Sequence, residues 1–264
     1  MTQFPKLRIW HVGNWCIHIG QKYVESPFEA PSKDVEVLNY AQPFVDALLA
    51  IPDTEVVSQP SWELYHMSPE AFGERLNWAT AIVFADVETK CLMLHPDFFQ
   101  RAKWGDEPIT FFDRFDLLRK WVTAGGHFHM NGGWLSFSGE LGKGGWGRSR
   151  FHDALPVKCL QHDDLIESTA GFEIRCSSPD HPMANGLDWT TVPPVLGFNE
   201  TKVREGSESI VEIENCGRWH PLLATRSLGS GRVTCWTTGA SPHWGINFMK
   251  WPQYGQFWKQ IFSK

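Results

Sequence analysis

The chain has 264 residues, of which 42% are hydrophobic and 20% charged, and a formal charge of −6 at pH 7. At roughly 150 residues per domain this is one large domain or two small ones, and the apolar content excludes a disordered chain. The acidic balance excludes a broadly basic surface, so neither nucleic acid nor an anionic membrane surface is an expected partner. No apolar run approaches the ~18 residues of a spanning helix. Lys6 and Arg8 are followed by His11, Asn14 and His18 rather than by an apolar stretch, so no signal peptide is expected. Six widely spaced cysteines without a C-x-x-C pair suit free thiols in a reducing cytoplasm. The 14 tryptophans fill an aromatic core or line a ligand pocket or subunit interface, which leaves a homo-oligomer open.

In chain order, Leu7–Val12 is an apolar run of strand length, and Gly13, Asn14 and Gly20 after it predict a loop. Phe44, Val45, Leu48 and Leu49 recur at helical spacing within 42–51. A second strand is predicted at 55–58. Ser68-Pro69-Glu70 is a helix start, and that helix is predicted to run to about Trp78. The run 81–87 reads as a strand buried on both faces. Phe111, Phe115, Leu118 and Trp121 or Val122 mark the next helix, which Gly125-Gly126 stops. His127–Met130 is a strand. Beyond residue 155 the pattern turns to strands, at 157–160, 210–213, 222–225 and 232–236, with a last helix over 251–261. Strand and helix alternate in the first half, which predicts an α/β fold with a mainly parallel sheet and a β-rich C-terminal elaboration.

Ligands of such sheets bind beyond the C-terminal strand ends, so the loops there hold the candidate residues. They are His11 after the first strand, Asp86 after the third, Asn131, Gly132, Gly133, Trp134 and Ser136 after His127–Met130, and His243 near the end. His127 and His129 share one strand face, but two further ligands would have to converge there, so no metal is expected. Asp163-Asp164 reads as a solvated turn, and Ser136 and Ser138 as turn-stabilising hydroxyls. The Gly-rich run 139–147 lacks the phosphate-loop pattern and reads as a mobile loop; no cofactor is expected. Asn199-Glu200-Thr201 fits a glycosylation sequon by chance.

The segment Gly126 to Trp134 resembles the nucleophile elbow of class I glutamine amidotransferases. Ala85-Asp86-Val87, Gly132–Gly139, Asp153–Val157, Asp180-His181-Pro182, Gly229–Val233 and Ser241–Gly245 together resemble the amidotransferase-like family of that superfamily, related to ThuA-like proteins. The resemblance spans about residues 7–258. It implies a flavodoxin-like sheet with helices on both faces, a single amidotransferase-like domain over 1–264, and a catalytic His near His243. The departures are as informative. Gly133 stands where the family's cysteine belongs, and Ala85-Asp86-Val87-Glu88 replaces a Gly-rich oxyanion loop. His243 is followed by Trp244 and Gly245 rather than by the family's His-x-Glu.

Without a thiol nucleophile, glutamine hydrolysis is not expected. The first expectation is a cytoplasmic protein that binds a small polar ligand in the crevice through His11, Asn131, Gly132, Gly133, Trp134 and Ser136. The second is a hydrolase or isomerase of a sugar-like or amide substrate, with Asp86 and His243 as acid and base. The third is a non-catalytic assembly protein.

Overall fold

The computed structural model describes residues 6–23, 31–106, 108 and 110–263. In chain order the elements are β1 (Leu7–Gly13), β2 (Trp15–Tyr23), β3 (Pro31–Asn39), α1 (Gln42–Leu49), β4 (Thr54–Gln59), α2 (Ser61–His66), α3 (Pro69–Trp78), β5 (Ala81–Ala85), α4 (Lys90–Met93), α5 (Arg114–Thr123) and β6 (His127–Asn131). The second half holds β7 (Val157–Cys159), β8 (Leu165–Phe172), β9 (Ile174–Cys176), β10 (Val195–Asn199), β11 (Thr201–Val203), β12 (Glu208–Asn215), β13 (Arg218–Leu228), β14 (Gly231–Trp236) and α6 (Tyr254–Phe262). Short 3-10 turns fill several connections.

Eight strands form the central sheet in the order β4-β1-β5-β6-β14-β13-β12-β9. The first five are parallel, and β13, β12 and β9 extend the sheet antiparallel. This is the mainly parallel sheet that the alternating pattern predicts, in the flavodoxin-like arrangement that the family resemblance implies. Strand order reverses between β1 and β5: the chain goes from β1 out to β4, then crosses back to β5 on the other side. A crevice therefore opens beyond the C-terminal ends of β1 and β5, where their connections diverge.

Both sheet faces are covered, which explains the continuous apolar runs in the parallel strands. Ile9, Val83 and Trp236 pack under Phe44 and Leu48 of α1 and Phe257, Trp258 and Ile261 of α6. Trp10, Phe84, Phe128 and Met130 pack under Leu64, Phe72, Leu76, Phe115, Leu118 and Val122 of α2, α3 and α5. Helix ends follow their sequence signals. Ser68 accepts from the Ala71 N–H with Pro69 in the first turn, and Asp113 accepts from the N–H groups of Phe115 and Asp116. That cap starts α5 at Arg114, three residues later than the run of aromatics from Phe111 predicts.

Two differences from the sequence reading bear on function. The expected loop after Val12 is a ribbon: β2 and β3 pair over nine residues, Trp15 with Asn39 through Tyr23 with Pro31. The second half is also richer in strands than predicted. The two-stranded sheets β8–β10 and β7–β11 lie outside the central sheet, and β8–β10 carries residues of the crevice.

Candidate functional site

The site begins where β5 ends. The sequence predicts a strand to Val87, but the strand stops at Ala85 and Asp86 takes the left-handed conformation, φ 56°. Few residues with a Cβ accept that backbone, and Asp is among the more tolerant. Hydrogen bonds hold it: the Asp86 N–H donates to Ser136 Oγ at 3.1 Å, and the Leu135 N–H donates to Asp86 Oδ1 at 2.8 Å. The Trp134 N–H also stabilises the carboxylate. Ser136 thus takes the turn-stabilising role expected of it, and its partner is Asp86.

Beyond β6 the chain passes through Gly132 and Gly133 into a turn at Trp134. Gly133 has φ 157°, and lack of space is what requires glycine here. A Cβ on Gly133 would lie 2.2 Å from Asp86 Oδ1, and one on Gly132 would lie 2.3 Å from the Thr237 carbonyl oxygen. The Asp86 carboxylate therefore occupies the volume that a nucleophilic side chain at position 133 would need.

Asn199, at the end of β10, pins the same turn. Its Oδ1 accepts from the Gly133 N–H at 2.9 Å, and its Nδ2 donates to the Gly133 carbonyl at 3.0 Å and to Asp164 Oδ1 at 2.8 Å. Asp164 also accepts from the N–H groups of Ser138 and Gly139. The Asp163-Asp164 pair is thus only half the solvated turn expected of it: Asp163 is exposed, but Asp164 is buried and organises the loop after Trp134. Asn199 has no exposed surface, so its sequon cannot present an amide to a glycan.

The loop after β14 closes the crevice. Ser241 Oγ accepts from Asn14 Nδ2 at 2.9 Å, which ties this loop to the end of β1. His243 is exposed two residues on. Its ring lies parallel to the Trp134 indole, centroids 6.2 Å apart, and 5.0 Å from the Tyr40 ring. Trp134 is 50% exposed, and its Nε1–H donates to Glu167 Oε1 at 3.0 Å. The same oxygen accepts from Trp244 Nε1 at 2.6 Å. Asp86, Trp134 and His243, from three separate stretches of sequence, thus meet at one crevice with Tyr40 and Glu167.

Electrostatics follow from this packing. Burial among protein atoms pushes the Asp86 pKa up to about 6, against the opposing pull of the Leu135 and Trp134 N–H groups and of the His243 charge. Burial likewise raises Asp164 to about 6, although Asn199 and two backbone N–H groups favour its ionised form.

The other candidate residues lie elsewhere. His11 sits inside β1, fully buried, with Nδ1 on Ser58 Oγ at 2.9 Å and its ring against Phe44. Burial lowers its pKa to about 3. It lies under α1 and does not reach the crevice, because its position in the strand faces the covered side of the sheet. Asn131 is fully buried too, with Oδ1 on His129 Nε2 at 2.9 Å. His127 and His129 both engage the Thr234 hydroxyl, and burial lowers both pKa values. Among the described residues no group of three or more His, Cys, Asp or Glu side chains is placed to hold a metal. Sequence reasoning passed over Tyr40, Asp164, Glu167 and Asn199 as site residues, and only the Asp-Asp turn and the sequon drew notice to their segments.

Comparison with known proteins bears on the fold and the family. A chain described as "Cytoplasmic Protein STM3548 from Salmonella typhimurium" superposes with TM-score 0.82 at 24% identity, over 97% of this chain and 98% of that one. "Cytoplasmic Protein STM1381 from Salmonella typhimurium LT2" gives the same figures. At that identity the likeness is one of fold. A ThuA-like protein from Bacteroides uniformis ATCC 8492 superposes at 0.48 with 11% identity, over 100% of this chain and 94% of that one. No curated protein matches the sequence. No helix among the described residues is long and apolar enough to cross a membrane. The profile of the GATase1_like family, described as "Putative glutamine amidotransferase", matches residues 33–264, and the chain belongs to that family.

Proposed function

We propose that the crevice binds a small polar ligand and that the chain does not hydrolyse glutamine. One observation carries this reading: the Asp86 carboxylate fills the space a nucleophile at position 133 would need and accepts the Leu135 N–H. Acyl transfer requires a nucleophile and free donors for a developing oxyanion. Here a carboxylate stands in place of the first and draws on the backbone N–H groups that follow the elbow. What stays accessible is an indole face, an imidazole and carboxylates, a set suited to orienting a polar molecule with one flat or apolar side.

The test is direct. Purified protein incubated with glutamine should release no ammonia above background. A thermal-shift panel of monosaccharides, amino acids and carboxamides should yield a compound that stabilises the chain and loses its effect in Trp134→Ala. Ammonia release abolished by a single Cys→Ser change would overturn the reading.

A second reading is favoured by the raised Asp86 pKa of about 6, the range in which a carboxyl serves as general base near neutral pH. In it Asp86 and His243 exchange protons with a sugar-like or amide substrate. It requires turnover with a bell-shaped pH profile whose acid limb disappears in Asp86→Asn.

A further inference from the structure

Among the described residues the ribbon formed by β2 and β3 pairs with no other strand. Its alternation puts Ile17, Ile19, Val35 and Val37 on one face, with Ile17 opposite Val37 and Ile19 opposite Val35. All four are between 46 and 67% exposed. From Trp15 to Ile19 and from Val35 to Asn39 this face carries no charged residue. A lone two-stranded ribbon is marginal in water, and a contiguous aliphatic surface marks a contact site. The chain has a second such patch. Between β5 and α5, Met93, Phe98, Phe99, Trp104 and Phe111 are each 40 to 62% exposed. They lie close in sequence and are held locally: Phe98 and Phe99 rings meet at 5.0 Å, Trp104 Nε1 donates to the Asp97 carbonyl, and Phe111 stacks on His95 at 4.7 Å.

Ribbon and aromatic segment follow β1 and β5, adjacent strands of the sheet, so both arise at its C-terminal end. Within one chain neither covers the other. We propose that two copies of this chain form a two-fold dimer in which the aliphatic ribbon face of each packs on the Met93–Phe111 aromatic segment of the other. The two contacts are equivalent, so the assembly closes at two and leaves neither patch open. Covering the exposed halves of nine such side chains removes on the order of 1,000 Å² per protomer, against the ~800 Å² each partner gives to a standard stable interface.

Light scattering coupled to size exclusion, on the full chain at micromolar concentration, tests this. Wild type should run at twice the 30.1 kDa chain mass. Ile19→Lys and Phe99→Glu should each run as monomers with unchanged circular dichroism, since both positions are exposed. A 1:1 mixture of the two variants should recover a dimer, because one contact then keeps both native faces and the other pairs Lys with Glu. A monomeric wild type, a dimer that either single change leaves intact, or a mixture that stays monomeric would each overturn the proposal.

Discussion

Gly133 and Asp86 compete for one volume, and each limits what the other can be. A methyl group on Gly133 meets Asp86 Oδ1 at 2.2 Å, too close for any relaxation that leaves the carboxylate in place. Gly133→Ala should therefore cost about 2–3 kcal/mol, the range of an overpacked site. Asp86→Gly removes the obstructing carboxylate and suits the left-handed backbone, so in that background the cost of Gly133→Ala should shrink. Urea unfolding of the four species in a double-mutant cycle measures the coupling. Asp86 also gives stability a pH dependence with a definite sign. Its pKa is raised on folding, from 3.8 to about 6, so the native state holds the proton more tightly. That contribution is fully present below about pH 4 and is lost as pH rises through 6. Asp164 acts in the same window with the same sign. Discounted for its partial exposure, Asp86 contributes about 1–2 kcal/mol. Melting temperatures of Asp86→Asn and wild type should thus coincide near pH 4 and diverge above pH 6, with the variant more stable.

At the scale of elements, the connections that frame the crevice are held by backbone carbonyls meeting a buried cation. Arg114, at the start of α5, is 2% exposed. Its guanidinium donates to the carbonyls of Leu64, Tyr65 and Met67 at the end of α2 and of Cys91 in α4. The planar fork reaches four acceptors at once and sits at the negative end of α2. Arg114→Lys keeps the charge but offers a compact ammonium that cannot span them. Leaving buried carbonyls unpaired should lower unfolding free energy by about 2–3 kcal/mol in chemical denaturation. A loss below about 0.5 kcal/mol would show that these helices hold one another without the arginine.

Across the whole molecule the thiols divide by burial. Cys16 and Cys216 are exposed, whereas Cys235 is fully buried. Burial pushes Cys91 up to about 11 and Cys159 up to about 12, and raises Cys235 as well. Raised thiols are poor nucleophiles at neutral pH. Short iodoacetamide treatment of the native protein should modify Cys16 and Cys216, with Cys235 labelled after unfolding, as read by peptide mass spectrometry. Fast labelling of Cys91 or Cys159 would reveal an activated thiol and bring cysteine chemistry back into question.

Local patterns in the sequence determined most of the sheet. The apolar runs at 7–12 and 81–87 and the short run at 127–130 read as strands, and the helical spacing within 42–51 and the Ser68-Pro69 start of the helix to about Trp78 read as helices. Gly133 in the elbow was equally legible, because a missing side chain is a fact of sequence. The ribbon after Val12 was not. Its glycines and polar residues look like a loop, and pairing between β2 and β3 is settled by cross-strand register rather than by local preference. His11 illustrates the same limit: its number places it near a strand end, but its position in the strand turns it under α1. Asn199 and Asp164 lie 66 and 25 residues from the atoms they hold. Their roles follow from where β8 and β10 dock, and no spacing in the chain encodes that. Above all, the Asp86 carboxylate lies in the space beside Gly133 because β5 and β6 are neighbours in the sheet. The sequence places a glycine at position 133, but only the tertiary structure shows that the Asp86 carboxylate fills the space beside it.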